Sequence, residues 1–372
     1  MSLMTFTKFC SARGLLTASI AMAAMSGSMS RPAAAETRSL VISWFVMASN
    51  SFEGDCPKGL NPKPEDAFRL QLGAIGMPKD KVEGVVAALK GGSSDNATRD
   101  TLVNRGRFEG KPVNAFTFPT AVPDVGLFRT VESKYGYGFN LDGKEETGYE
   151  EPETKEKGVD NAYWKAFGCN VNHRGTATDA PTEWALHWEI NRDKMPAWLI
   201  SVTADDFNNG PATVTLTNAL EHISRDANGN VRADSTFRVD PDKRWHNTLK
   251  AQIKNGELVT DPGEVHLLGD PYILTDLDMT KAKLRLKFAA DGSLKGLIGG
   301  YIPWRRIYLL YGAAGFTEEI MIGTNIPGSY YALKQNADAY PDPKTGENTA
   351  ISTAWWIEAV PAYTVALQAQ GD

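Results

Sequence analysis

Two hydrophobic patterns along the chain predict β-strands. Residues 40–47 form a nearly unbroken run of β-branched, aromatic and other apolar side chains, which is typical of a strand buried on both faces. In residues 183–190, large apolar side chains occupy every second position. An alternation of period two predicts a strand with one buried face and one polar face, and the polar face would carry His187 and Glu189.

Further short strands are separated by strong turn signals. Asn-Gly at 209–210 and 255–256 and Asp-Gly at 291–292 favour tight turns between antiparallel strands. The predicted strands cover residues 198–203, 212–216, 235–239, 248–254, 257–260, 264–268, 281–288 and 293–301. This short, regular spacing predicts a mainly β fold, an antiparallel β-sandwich of jelly-roll-like form with helical insertions.

Helical patterns interrupt and follow the strands. Pro64 and Pro78 each stand where a helix begins, and an apolar stripe at helical spacing follows Pro78. We therefore predict a helical insertion near residues 64–91 within a sandwich domain of residues 36–300. The remaining residues, 301–372, predict a C-terminal segment of mixed structure that packs on the sandwich.

The first 35 residues have the pattern of a secretory signal peptide. Lys8 and Arg13 supply positive charge, residues 14–25 are mostly apolar or small, and the alanines at 33–35 form a cleavage site. A retained anchor helix is the alternative, but it needs a longer apolar span. We expect the mature chain to be periplasmic or secreted, with no transmembrane segment after signal removal.

The charge balance bears on possible partners. The chain has 39 Lys and Arg residues against 45 Asp and Glu residues, a formal net charge of −6. The predicted signal peptide contains basic but no acidic residues, so its removal makes the chain more acidic. Binding to nucleic acid would need clustered basic residues, and the sequence argues against such a partner.

Two cysteines remain once the predicted signal peptide, with Cys10, is removed. Cys56 and Cys169 would most simply form one disulfide in an oxidising compartment. Two unpaired buried thiols are the alternative. The chain has no paired-cysteine zinc motif and no haem-attachment motif.

The stretch from residue 135 to residue 169 is rich in Asn, Asp and Gly. Its spacing does not match an EF-hand, because Lys144 and Glu145 stand where ligand and turn residues belong. A looser Ca²⁺ loop could use Asn140, Asp142 and Asp160, since calcium accepts irregular sets of oxygen ligands. In the alternative interpretation these side chains cap turns and a short helix.

No complete catalytic motif occurs in the chain. The five histidines are scattered, and there is no H-E-x-x-H helix, no G-x-S-x-G elbow and no phosphate-binding loop. His187 and Glu189, together with Glu183, are weak candidates for an acid, a base or a ligand on the predicted polar strand face. A solvated polar face explains them equally well.

Several short motifs resemble a group of uncharacterised secreted proteins of proteobacteria and myxobacteria. The group often shows N-L-D-G, then G-I-D-N, then G-C, and this chain has Asn-Leu-Asp-Gly at 140–143, Gly-Val-Asp-Asn at 158–161 and Gly-Cys at 168–169. The resemblance extends to residues 296–301 and to the C-terminal part of the chain. It implies export and a calcium-type loop at Asp142 and Asp160.

These observations support two functional hypotheses. The first is an exported, non-catalytic binding or accessory protein that binds a glycan, a lipid-like molecule or a protein partner. Its nine tryptophans suit ligand stacking, although large aromatic side chains also serve as core residues. The second is a periplasmic hydrolase or lyase with its site on the face bearing His187 and Glu189. A deep pocket with buried carboxylates would favour the enzyme, and an aromatic groove would favour binding.

Overall fold

Eight antiparallel strands close into a β-barrel in the computed structural model, which describes residues 35–90, 95–176, 178–269 and 276–367. The strands in chain order are β1 (Glu36–Met47), β2 (Gly106–Phe108), β3 (Lys111–Val113), β4 (Tyr149–Glu150), β5 (Lys157–Val159), β6 (Pro196–Ala204), β7 (Asn209–His222), β8 (Ser235–Val239), β9 (Asn247–Lys254), β10 (Glu257–Thr260), β11 (Gly263–Leu268), β12 (Asp276–Phe288), β13 (Leu294–Pro303), β14 (Ala339–Pro341) and β15 (Asn348–Ala366). The barrel order is β1, β6, β7, β9, β10, β12, β13, β15 and back to β1.

The predicted β-sandwich is wrong, because the sheet closes on itself. Strand β15 pairs with β13 on one side and with β1 on the other, where Leu40 faces Pro361 and Met47 faces Trp355. The pairing of β7 with β9 completes the ring. The hairpin signals correctly predicted antiparallel neighbours. They carried no information on the pairing of the first strand with the last, which separates a barrel from two packed sheets.

The inward side chains of the barrel form the main hydrophobic core. Along β9, the inward Leu249, Ala251 and Ile253 are buried, and the residues between them are exposed. Strand β1 is buried on both faces as predicted. Its residue Val41 belongs to a second apolar cluster with Leu199 of β6, outside the barrel interior, so both faces of the strand are covered.

Three remaining strands extend the wall. Strand β8 pairs in parallel with the carboxyl part of β15, β11 pairs with β12, and β14 pairs with β15. Two small hairpins, β2 with β3 and β4 with β5, lie apart from this sheet. Strand β15, which lies in the C-terminal segment of residues 301–372, is one of the eight strands of the barrel. Residues 1–34 of the predicted signal peptide lie outside the described residues.

Seven α-helices accompany the strands in the described part of the chain. They are α1 (Pro64–Ala74), α2 (Lys79–Lys90), α3 (Asn96–Val103), α4 (Ala162–Phe167), α5 (Thr182–Asn191), α6 (Trp304–Thr317) and α7 (Ile326–Asn336). The helices predicted after Pro64 and Pro78 are confirmed as α1 and α2. Helices α4, α6 and α7 contact β15, and α5 contacts β1. None of the described helices is long and apolar enough to cross a membrane.

The strand predicted for residues 183–190 is wrong, because this segment is helix α5. Trp184 and Trp188 are buried at helical spacing, whereas Leu186 and Ile190 are 39% and 51% exposed. A strand would place all four side chains on one face. A helix instead places Trp184 and Trp188, which are four residues apart, on one face and turns Leu186 and Ile190 away from it. The core contacts of the two tryptophans therefore favour the helix over the strand.

The predicted disulfide between Cys56 and Cys169 is confirmed. The two Cα atoms lie 5.8 Å apart, and the bond joins the loop after β1 to the residue that follows Gly168, the end of α4. An ion pair of 2.7 Å between Arg174 and Asp55 supports the same junction. The chain from β1 to α4 is therefore tied covalently beside the barrel.

Candidate metal centre

Helix α5 brings an acidic side chain and a histidine together. Glu183 and His187 are four residues apart, so they lie on the same face of the helix. A third side chain comes from a distant part of the chain, because Glu318 begins a π-helical turn (Glu318–Ile322) directly after α6. One ligand atom from each of these three residues lies within 4.8 Å of the other two.

The three side chains converge through His187 Nε2. This nitrogen lies 3.2 Å from Glu183 Oε1 and 3.8 Å from Glu318 Oε2. Glu183 is fully buried, Glu318 is 2% exposed, and the His187 side chain is 15% exposed. The carboxylates therefore lie inside the protein, and the imidazole lies between them and the surface.

The carboxylates have fewer hydrogen-bond donors than buried acids normally have. No described group donates a well-aligned hydrogen bond to either oxygen of Glu183 or to Glu318 Oε1. Burial, with the nearby negative charge of Glu318, raises the pKa of Glu183 well above its usual range. Burial lowers the pKa of His187, but the two carboxylates outweigh this effect and raise that pKa to about 9. At neutral pH the imidazole of His187 is therefore protonated, and its single positive charge faces two buried carboxyl groups.

The neighbouring glutamate shows the normal solution for a buried acid. Glu319 is also buried, but it forms an ion pair with the buried Arg105 and accepts a hydrogen bond of 2.9 Å from the backbone N–H of Ile326. Arg105 in turn donates to Gln71 over 2.8 Å. Of two consecutive buried glutamates, one therefore has an arginine partner and the other, Glu318, faces His187.

The spacing of the donors fits a small transition-metal ion. Two ligands bound at about 2.0–2.2 Å in a tetrahedral arrangement lie roughly 3.3–3.6 Å apart. The 3.2 Å and 3.8 Å separations at His187 Nε2 bracket this value. An imidazole with carboxylates is typical of zinc and its neighbours in the first row, whereas calcium takes six to eight oxygen ligands.

Aromatic side chains enclose the inner side of the cluster. Tyr311 Oη lies 2.6 Å from Tyr163 Oη and 2.9 Å from His173 Nε2, and all three residues are fully buried. Burial, and then the positive charge of His187, lowers the pKa of His173 to about 3, so this imidazole is neutral. Trp184 packs edge-on against Trp355 with ring centroids 5.3 Å apart. These contacts exclude water on that side and restrain α5.

The predicted calcium residues lie elsewhere, on the outer side of the barrel wall. Asp160 Oδ2 accepts hydrogen bonds from the backbone N–H groups of Leu141 and Asp142 over 2.7 and 3.1 Å. Asn140 Oδ1 accepts one from Gly143 over 2.7 Å. Asp142 Oδ2 forms an ion pair with Lys144 over 3.0 Å. The three side chains thus make turn contacts within one loop, and calcium binding there stays a prediction.

The second predicted catalytic residue lies apart from His187. Glu189 is exposed and forms an ion pair of 3.1 Å with Arg225. The prediction that His187 and Glu189 share one face of a strand is therefore wrong, because residues two apart in a helix point in different directions. Sequence reasoning included Glu183 but missed Glu318, which stands in no recognisable motif.

Two of the cavities in the described part of the chain bear on the predicted sites, and neither is lined by Glu183, His187 or Glu318. One, of about 550 Å³, is lined by Asp142, Asp160, Asp338 and Tyr301, and burial raises the pKa of Asp160 to about 6. The other, of about 500 Å³, is lined by aromatic and polar side chains, including Trp44 and Trp356.

No protein-family model, curated protein or solved structure matches this chain.

Proposed function

We propose that this is an exported protein that binds one first-row divalent metal ion, best matched by Zn²⁺, through Glu183, His187 and Glu318. The observation that carries the proposal is the set of buried carboxylate oxygens that receive no well-aligned hydrogen bond from any described group, with an imidazole nitrogen 3.2 Å from one of them. Buried charges in proteins are normally paired or coordinate metals. The disulfide supports export, because such bonds persist in oxidising compartments.

A divalent cation would balance the charge of the cluster. When the three side chains release their protons to bind a metal, two carboxylates and a neutral imidazole carry two negative charges in a dehydrated site, and one divalent ion neutralises both. Sharing of a proton between Glu183 and His187 is the competing arrangement. It gives one oxygen of Glu183 a hydrogen bond from His187 but leaves Glu318 Oε1 without a donor among the described groups, whereas a metal ion uses the oxygens of both carboxylates.

Metal analysis of the full-length exported protein tests the proposal. We expect about one Zn²⁺ per chain after exposure to the metal and dialysis, and an increase in melting temperature when Zn²⁺ is added to chelator-treated protein. Glu183→Gln should abolish both effects. Glu189→Gln is the matched control, because it removes an exposed carboxylate from the same helix and should leave both unchanged. Equal zinc content in the Glu183→Gln variant and the wild type would overturn the assignment.

A metal-dependent hydrolase is the second candidate function, and the number of ligands favours it. Structural zinc sites use four protein ligands, whereas catalytic sites use three and leave one position for water. The partial exposure of His187 places the cluster within reach of the surface. Hydrolysis of p-nitrophenyl acetate and p-nitrophenyl phosphate should then require the metal and be lost in His187→Ala. Zinc binding without any such activity would leave the metal-binding proposal standing and remove the hydrolase.

A further inference from the structure

A groove of about 500 Å³ crosses the outer side of the barrel wall, and none of the three metal-binding side chains lines it. Its floor comes from neighbouring strands, with Trp44 on β1, Trp356 on β15, Leu297 on β13 and Arg285 on β12. Tyr137, from the Asn-, Asp- and Gly-rich stretch, forms part of one edge. We refer to this cavity as the aromatic groove. Its volume lies in the range of small-ligand sites in proteins.

The aromatic side chains of the groove differ from the tryptophans of the core. Trp164, Trp184, Trp188 and Trp198 are almost completely buried and pack within the main core, whereas Trp44 and Trp356 are only partly buried. Both rings are held by neighbours. Trp44 meets Trp188 with centroids 6.2 Å apart, and Trp356 meets Tyr137 at 4.8 Å. Rings that are already fixed lose little conformational entropy when a ligand stacks on them.

Each of the three basic side chains that line the groove lies opposite an acidic one. Lys295 pairs with Glu358 over 2.9 Å, and Arg285 pairs with Glu156 over 2.5 Å. Lys287 stands directly opposite Glu257 in the register of β12 and β10. Glu153 and Asp179 also line the groove, and no ion pair joins either of them to a described basic side chain, so the lining has a surplus of negative charge. This surplus disfavours an anionic ligand, and the stacking surfaces with polar edges fit an uncharged one.

The polar lining also argues against a purely apolar ligand. Asn50, Thr154 and Asp179 line the cavity together with the paired charges. A hydrocarbon chain lying on them would bury polar groups without hydrogen bonds, which is unfavourable. A pyranose ring has an apolar face that stacks on tryptophan and hydroxyl groups that donate and accept hydrogen bonds. A pyranose ring can therefore stack on the aromatic side chains of the groove and form hydrogen bonds with its polar side chains.

We propose that the aromatic groove is a binding site for a neutral oligosaccharide. Trp44 and Trp356 provide the stacking surfaces, and the polar side chains at the edges bind the hydroxyl groups. This site is independent of the metal centre, since none of the three metal-binding side chains lines it. The protein would then combine a sugar-binding surface on the barrel wall with a metal ion beside α5.

Calorimetric titration tests this site with a defined set of probes. The neutral probes are cellohexaose, maltohexaose, xylohexaose, laminarihexaose and chitohexaose in its N-acetylated form. Hexagalacturonate and laurate are the anionic and apolar comparators. We expect at least one neutral hexasaccharide to bind and to change the tryptophan fluorescence, and we expect neither comparator to bind in the groove.

Variants of the full-length chain locate the binding. Trp356→Ala should weaken binding of that hexasaccharide at least tenfold, and Trp356→Phe should retain most of it. Tyr363→Ala is the matched control, because Tyr363 lies on the same strand, is 63% exposed and is outside the groove. Trp44→Ala provides a second, independent loss variant, and thermal melts show which variants are folded.

Three results would overturn the proposal. They are the absence of binding by every neutral probe, equal affinity in the wild type and in folded Trp44→Ala and Trp356→Ala variants, and competitive occupation of the groove by hexagalacturonate or laurate. His187→Ala separates this proposal from the metal centre. That substitution should remove zinc binding and leave the affinity for the hexasaccharide unchanged.

Discussion

Glu183→Gln should change the stability of the protein in opposite ways with and without a metal ion. In metal-free protein, the folded-state pKa of Glu183 is raised by burial and by Glu318. When the pKa of a carboxyl group is higher in the folded state than in the unfolded state, its contribution to the free energy of unfolding is fully present below the unfolded-state pKa of about 4.3. That contribution is lost as the pH rises through the folded-state pKa. Glutamine keeps the shape of the side chain and removes this titration.

His187 contributes to pH dependence in the same direction. Its pKa is raised to about 9, so the stabilisation that it gains from the carboxylates is complete below its unfolded value of about 6.5. That stabilisation is lost as the pH rises through about 9. Metal-free wild-type protein should therefore lose stability between about pH 6.5 and pH 9, and Glu183→Gln should lose less.

The magnitude follows from the missing donors around Glu183. A buried carboxylate with too few donors costs more than the neutral amide that replaces it, so metal-free Glu183→Gln at pH 8.5 should exceed the wild type by about 1–3 kcal/mol, the usual cost of an unsatisfied buried polar group. For a chain of this length the melting temperature should rise by about 2–4 °C. With Zn²⁺ at 100 times its Kd, the wild type gains about 2.7 kcal/mol. A variant with hundredfold weaker binding gains only about 0.4 kcal/mol.

The assay is a series of thermal and urea unfolding curves at pH 6, 7.5 and 8.5, with chelator and with Zn²⁺. Glu189→Gln serves as the control and should follow the wild type under every condition, because Glu189 pairs with Arg225 at the surface. The reasoning fails if Glu183→Gln is less stable than the wild type at pH 8.5 without metal while Zn²⁺ stabilises both proteins equally. That pattern would mean that Glu183 serves a purely structural role.

Three further predictions concern the fold. Arg105→Met should lower the free energy of unfolding, measured by guanidinium titration, by about 3–5 kcal/mol, because it leaves the buried Glu319 without its cation. Arg99→Met is the exposed control, and an equally small loss in both variants would contradict this prediction. Reduction of the Cys56–Cys169 bond, which spans 113 residues, should cost about 2–5 kcal/mol in urea unfolding with and without dithiothreitol; unchanged stability would show that the cross-link is dispensable. Leu249→Ala should lower the free energy of unfolding, measured by urea titration, by about 2–5 kcal/mol, because Leu249 points into the barrel. Lys250→Ala, at the exposed neighbouring position, should lower it by less than about 0.5 kcal/mol, and similar losses in the two variants would contradict the alternation of inward and outward side chains along β9.

Local sequence patterns were sufficient where backbone geometry and burial agree. The apolar run at residues 40–47 and the turns at 255–256 and 291–292 correspond to β1 and to the turns after β9 and before β13. Each depends on residues close together in the chain. The disulfide was also accessible from sequence, because only two cysteines remain after the predicted signal peptide.

The same patterns failed where one sequence fits two structures. The apolar positions 184 and 188 suit one face of a strand and one face of a helix, and only packing against Phe45 and Trp355 selects the helix. That choice brings Glu183 to His187 and separates Glu189 from it. Two of the three side chains of the candidate metal centre, Glu183 and His187, were therefore identified from the sequence, but they were assigned to a strand instead of a helix.

By itself, the sequence determined β1, the turns at residues 255–256 and 291–292 and helices α1 and α2, because these elements depend on side chains within a few residues of one another. The number of cysteines left after the predicted signal peptide determined which two can pair. The tertiary structure alone decided that β15 returns to β1 and closes a barrel, and that Glu318 meets His187. Both are contacts between residues far apart in the chain. Their free energy comes from burial shared by many elements, which no local pattern records.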